Sequence, residues 1–392
     1  MTVARLLILA LVLLVPISAP ASGAQRTVRV QMLALLDPQR VTITPSEPMT
    51  LPSGGSVGAG ESVTVTREPA GGVSATAGGW RWRGNSFDVD SRGARTRILV
   101  QGRDTRARVT TGRIEITNEE DVIQIVVEMP LEQLVASAVA AELADSDDPA
   151  ALEAAAIALR SYIVTRRAHA GDGFDVCDST HCAHSQGAPD PANPHDRAAI
   201  EACRRTEGLV LSNGGEIVPG YCTASCGGQT VTPRDVWGSN VPGFASVRCV
   251  WCRTSRYYRW TRSIRVSDVQ ATAKAVIGDR SPATVDVFVA LARRGVAADV
   301  AVRSAEREVE VTGDAFRLAV GRRLGWDTIP SNKFRIERRR DRYIVTGAGY
   351  GHCVGLCLEG AVTLARARVD AKAILARYFP GDRIEPLPVS AN

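Results

Sequence analysis

Residues 131–162 read LEQLVASAVAAELADSDDPAALEAAAIALRSY, and their reading decides the fold. Leucine and alanine at helical spacing predict two helices. One opens after Pro130; the other follows the break SDDP, with Asp148 at the N-cap and Pro149 at the first helical position. With Leu131 at zero on a wheel of about 100° per residue, Leu134, Val135, Ala138 and Val139 fall within roughly 80° of it. Glu142 comes round to about 20°, near the centre of the same apolar stripe. A carboxylate held there resists ionisation, so its pKa rises towards neutrality, as a general acid requires. The other reading is a structural ion pair with Arg160, at the edge of the second helix's stripe of Leu152, Ala156, Leu159 and Ile163. Spacing alone leaves both open.

Working outward, Val28 to about Asp121 reads as short alternating strands broken by glycine, such as RTVRVQML, SVTVTRE and ARVTTGRIEIT. Trp80 and Trp82 alternate onto one face there, as core packing or a carbohydrate platform. VIQIVVE (122–128) predicts a strand feeding the first helix. Residues 171–195 form a polar loop, followed by the helical DRAAIEACRRTEG. Strands and turns alternate after Gly208. Arg259 to Ile344 mixes strands with a helix around Asp314 to Leu324, and the chain closes on a glycine loop and two short helices split at Asp370. The fold class is α+β: a β-rich N-terminal region, 25–121, followed by a mixed helix and strand domain, 122–385.

The first 24 residues have one early cation, Arg5, an apolar run from Leu6 to Ile17 and small residues after it, the layout of a secretory signal peptide. The mature chain is expected to be exported, whether periplasmic, cell-wall-associated or secreted, and to meet the membrane only if that segment stays uncleaved. A net charge of +5 over 392 residues, with no dense basic cluster, excludes a nucleic-acid partner. Nine cysteines in an oxidising compartment predict disulfides, with at least one thiol left over. In CDSTHC, Cys177, His181 and Cys182, with His184 nearby, suit either Zn²⁺ with a position left open or a Cys177–Cys182 disulfide. In CVWC, Cys249 and Cys252 resemble half a zinc knuckle or a redox pair, and disulfides with Cys222 or Cys226 are the plainer account. His169 and His195 read as solvated surface residues, and Trp237 as core.

Four stretches in order carry a family resemblance: LEQLVASAVAAEL…PAALEAAAIALRSY, FDVCDSTHC, GYCTASCGGQT…DVWG and GAGYGHCVGLCLEGAVTLA…ILARYFPG. Together they resemble the SpoIID/LytB family. The resemblance implies a domain with a substrate groove and lytic transglycosylase activity on peptidoglycan glycan strands. It makes Glu142 the catalytic acid/base, with Arg160 and Tyr221 in support and Ser225, Gly227, Gly228 and His352 towards the substrate. It implies no required cofactor, although some relatives are thought to bind zinc at the loop of Cys177, His181 and Cys182. A hydrolase pairs two carboxylates across the scissile bond. A lytic transglycosylase manages with one, because the sugar's own 6-hydroxyl attacks. The tail departs from the family pattern: Cys353 stands where glycine is usual, and Cys357 and Leu358 replace serine and glutamine. A bond between Cys353 and Cys357, or from either to another cysteine, would stiffen the loop beside His352. The departures motivate a second reading, a non-catalytic wall-binding module that enhances a separate amidase. A zinc hydrolase built on CDSTHC is a third.

Overall fold

In the computed structural model, residues 26–33, 35–100, 107–166, 169, 171–279 and 284–388 are described. The expected signal segment, 1–24, lies outside them. The helices are α1 (Leu131–Glu142), α2 (Pro149–Thr165), α3 (Pro194–Arg205), α4 (Pro233–Trp237), α5 (Val266–Val276), α6 (Gly313–Leu324), α7 (Leu358–Arg366) and α8 (Ala371–Tyr378). None among the described residues is long and apolar enough to cross a membrane.

The molecule is α+β, and a five-stranded sheet positions its helices. Its order is Val176–Cys177, Thr27–Gln31, Val122–Pro130, Arg113–Glu119, Ser86–Asp90. The middle strand buries Ile123, Ile125, Val126, Val127 and Met129. Such a near-continuous apolar run suits a strand covered on both faces. Strands from before and after residue 121 share this sheet, so the β-rich region and the helical region have one core in common. A six-stranded antiparallel sheet, from Arg108–Thr110 to Trp80–Gly84, completes the β-rich part. Trp80 and Trp82 lie half-buried at its edge and pack on that core, Trp82 edge-on to Phe87 with centroids 5.7 Å apart.

The strand Val122–Pro130 runs directly into α1, which buries Leu131, Leu134, Val135, Ala138 and Val139 as the spacing predicts. Asp148 is the N-cap residue of α2 and Pro149 follows it. The Asp148 carboxylate accepts instead from Ser146 Oγ (2.7 Å) and Arg366 Nε (3.1 Å). A second core, built on Trp260, Val269, Val300, Phe316, Phe334 and Tyr343, organises two three-stranded sheets with α5 and α6. Between the cores a small cluster of Val231, Val236, Val296, Cys353 and Val354 packs against Tyr221, Trp237 and Phe244.

Candidate functional site

Glu142 is the last residue of α1, and Leu143 closes the helix by donating its N–H to Val139 O (3.0 Å). Burial pushes the Glu142 carboxyl from 4.5 up to about 7. The negative end of the helix dipole also disfavours charge there. His184 Nδ1 lies 3.9 Å from Glu142 Oε1. Burial lowers the pKa of His184 in turn, so both partners are pushed towards their neutral forms. Ser137 of α1 and Ser185 share a hydroxyl hydrogen bond of 2.8 Å, which anchors the loop that carries His184.

Arg160 is not the partner of Glu142. It is fully buried, and its guanidinium forks onto Glu132 at the start of α1, Nε to Oε1 at 2.7 Å and Nη2 to Oε2 at 2.6 Å. Its Nη1 also donates to Leu209 O (2.9 Å). The expected supporting residue is thus a bolt between α1, α2 and the strand Leu209–Asn213, and it is satisfied without a substrate.

The two glycine-bearing motifs are zipped together. Cys222 and Thr223 pair in parallel with Leu356 and Cys357, and Ser225 bridges Tyr350 through backbone bonds of 2.7 and 3.3 Å. Thr223 Oγ1 adds a bond to Tyr350 O (2.7 Å). Gly227 and Gly228 turn at φ +64° and +100°. A Cβ on Gly227 would lie 2.5 Å from Gly349 N, and one on Gly228 would lie 2.9 Å from the Tyr258 hydroxyl. Both therefore fix the close approach of the loops. Tyr221 packs on Tyr162, Trp237, Phe244 and His352, with centroids 5.1 to 5.9 Å apart. His352 Nδ1 accepts from Val354 N–H (3.0 Å), and burial holds its ring near pKa 4, so it stays neutral and acts as packing for Tyr221. Burial raises the Cys222 thiol, with the Glu142 carboxylate adding to it, and burial raises the Tyr350 hydroxyl, with Asp327 the next cause.

The CDSTHC loop holds no disulfide. Cys177 and Cys182 are free thiols, and their sulfurs lie within 4.8 Å of each other and of one nitrogen each from His169 and His181. Four donors gathered about one point could hold a metal ion, and the two sulfurs are not joined as a disulfide. His169 Nε2 is 3.3 Å from Cys182 Sγ, its Nδ1 is 2.9 Å from Asp172, and its ring stacks on Phe174. The fourth donor is thus His169, expected to be a surface residue, while the expected neighbour His184 faces Glu142. Two thiolates and two imidazoles suit Zn²⁺ and leave no position open. The site neighbours Tyr162 and Arg166: burial is the largest influence on the ionisation of each, and Cys182 acts on both.

Four participants escaped the sequence: Glu132, His169, His184 as the neighbour of Glu142, and Tyr350. Tyr350 also lines a cleft of about 590 Å³ with Arg256, Tyr257, Arg262, Trp326 and Asp327. No spacing signal links any of the four to the site.

Residues 119–212 match the family model for SpoIID, described as Stage II sporulation protein. This span holds Glu142, Arg160 and the cluster of His169, Cys177, His181 and Cys182. The chain is 27% identical over 272 residues to an uncharacterized protein of Brachyspira hyodysenteriae, covering 67% of this chain and 68% of that one. It is 23% identical over 322 residues to Stage II sporulation protein D of Bacillus subtilis, covering 79% and 89%. It is 21% identical over 275 residues to the Amidase enhancer of Bacillus subtilis, covering 59% of this chain and 37% of the enhancer.

Proposed function

The chain belongs to the SpoIID/LytB family, and from that premise we propose that it is an exported lytic transglycosylase that cleaves peptidoglycan glycan strands with Glu142 as its single acid/base. A cell-wall role follows from the family and its amidase-enhancer relative. The observation that carries the finer reading is the Glu142 carboxyl at about 7, raised by burial with no neighbouring charge contributing.

At that pKa the group is populated both as acid and as base near neutral pH. The protonated carboxyl gives its proton to the glycosidic oxygen as the bond from that oxygen to C1 breaks. The sugar's C6 hydroxyl then bonds to C1, closing a 1,6-anhydro ring, and its proton passes to the Glu142 carboxylate. Glu142 returns to its starting state and no water is consumed. Neutral His184, 3.9 Å away, leaves the carboxyl its proton instead of drawing it off. Tyr221, backed by His352 and Trp237, offers a rigid aromatic wall. A zinc ion held by Cys177, Cys182, His169 and His181 would have four protein ligands and would supply structural cross-linking. That closed donor set speaks against the zinc-hydrolase reading.

Incubating purified glycan strands with the protein and with Glu142→Gln tests the reading. New 1,6-anhydro ends with the wild type and none with the variant are expected; equal yields would sink it. The enhancer reading retains one specific support, the relative named Amidase enhancer. Wall binding that survives Glu142→Gln, with faster amidase digestion and no cleavage by the protein alone, would favour it.

A further inference from the structure

We propose that Cys226, Cys249, Cys252 and Cys357 form a second and separate metal centre, a closed tetrathiolate site for zinc that clamps the substrate loop from behind. The four come from three distant segments: the glycine loop, the CVWC turn and the start of α7. All are buried to within 1% of full enclosure. Their sulfurs lie within 4.8 Å of one another. Cys252 Sγ is 3.7 Å from Cys226 Sγ and 3.8 Å from Cys249 Sγ. A zinc–sulfur bond of about 2.3 Å in a tetrahedron requires sulfur–sulfur edges of about 3.8 Å. A disulfide would bring one pair to about 2.05 Å and push the others away. Here Cys252 is near-equidistant from two sulfurs, which matches a shared centre and no pairing.

The surroundings suit a thiolate cluster. The Cys226 backbone N–H points at Cys357 Sγ (3.3 Å), and the Tyr378 hydroxyl lies 3.2 Å from Cys249 Sγ. Such donors orient and stabilise ligand thiolates. Four thiolates about a dication leave two negative charges, and the buried Lys333 ammonium binds the backbone of one ligand residue, Cys226. It donates to Cys226 O (3.0 Å) and to Gln229 O, and among the described residues no carboxylate is within ion-pair reach of it. Gly360 is required at this place, since a Cβ there would lie 3.0 Å from Cys249 Sγ and 2.1 Å from the Tyr378 hydroxyl.

The centre also accounts for a departure from the family pattern. Cys357, standing where serine is usual, is a ligand here, so the substitution belongs with Cys226, Cys249 and Cys252 as one set. Cys353 and Cys357 are bonded neither to each other nor to another cysteine, and Cys353 Sγ faces backbone carbonyls of Ser225 and Gly351, each at 3.8 Å. By joining Cys226 to Cys357 through a metal, the chain fixes the Ser225–Gly228 loop against α7 independently of the Cys177 cluster.

The test is zinc content of the full chain purified without reductant or added metal, in a Cys177→Ser/Cys182→Ser background that removes the other cluster. Roughly one zinc per chain is expected, falling at least about tenfold when Cys252→Ser is added. A zinc content unchanged by Cys252→Ser overturns the proposal. Peptide mapping of the wild-type chain needs no variant to fold. Four unlinked thiols that alkylate only after metal is displaced support the centre; a disulfide among Cys226, Cys249, Cys252 and Cys357 overturns it.

Discussion

Glu142 combines two effects that both disfavour its charge: a place at the negative end of a helix and partial burial beside His184. The unfolded chain releases this proton near 4.5, while the folded protein holds it to about 7. The folded state therefore incurs no penalty below about pH 4.5, a growing one between the two values and the full one above pH 7. The side chain keeps 28% of its surface in solvent, so the cost at pH 8 is about 1–2 kcal/mol, below what the full shift would give. Glu142→Gln is expected to stabilise the protein by that amount at pH 8 and to leave it unchanged at pH 4, read from urea midpoints at each pH. Cleavage by the wild type is expected to fall about tenfold per unit above pH 7 as the acid form is lost. A flat rate between pH 6 and 9 would remove Glu142 from the proton transfer. The wheel put this residue near the centre of the apolar stripe, whereas as the last residue of α1 it is only partly buried. It could not place His184, because a loop's path depends on the whole chain.

The elements that carry the site are bolted by charge and, on the reading proposed above, by metal coordination. Arg160 ties α2 to Glu132 of α1 while donating to Leu209 O, so its removal strands Glu132 at a helix junction. Arg160→Ala is expected to cost about 3 kcal/mol in chemical denaturation, with kcat per folded molecule kept within a few-fold. Arg160→Lys should rescue little, since one ammonium cannot fork onto both carboxylate oxygens. A large loss of kcat in folded Arg160→Ala would put the guanidinium in contact with substrate. Helix spacing suggested Glu142 as its partner because both lie on apolar stripes. The actual choice depends on which ends of α1 and α2 cross, a property of packing that no single-helix pattern contains. The 171–187 loop shows the same limit: Cys177, His181 and Cys182 are visible as a motif, but His169 joins them only because its ring lies on Phe174. His169→Ala is expected to weaken metal binding at this loop more than about tenfold, measured by competition with a chromophoric chelator. Unchanged affinity would leave only three donors.

At the scale of the molecule, Tyr221 packs against both the first core and the small cluster of Val231, Val236, Val296, Cys353 and Val354, and the surface proposed to hold substrate lies beside them. Trp237 Nε1 and Asn332 Nδ2 both donate to the Asp314 carboxylate, at 3.2 and 2.8 Å, tying α4 and the 331–333 turn to α6. The strand and helix alternation from Arg259 to Ile344 was readable in the sequence; its separate core and its contact with the site were not. Neither was the sharing of one sheet by strands on both sides of residue 121, because a partner strand can be any distance away in sequence. The cleft of about 590 Å³ lies on the second core's side, and Tyr350 on its lining is joined to Ser225 by two backbone hydrogen bonds. Its size suits a small saccharide segment. Trp326, 37% exposed on its rim, presents an apolar face, and Arg256 and Arg262 offer donors to hydroxyl and carboxylate groups. A glycan strand long enough to reach Glu142 would thus be held at a distance from the bond that breaks. Interactions there act equally on ground and transition states. Trp326→Ala is accordingly expected to raise KM for long glycan strands about tenfold, about 1.4 kcal/mol, with kcat within twofold. Fragments too short to span the cleft should be cleaved equally by both proteins. An unchanged KM on long strands would move the glycan's path off the second core, and a loss confined to kcat would bring Trp326 into the chemistry itself.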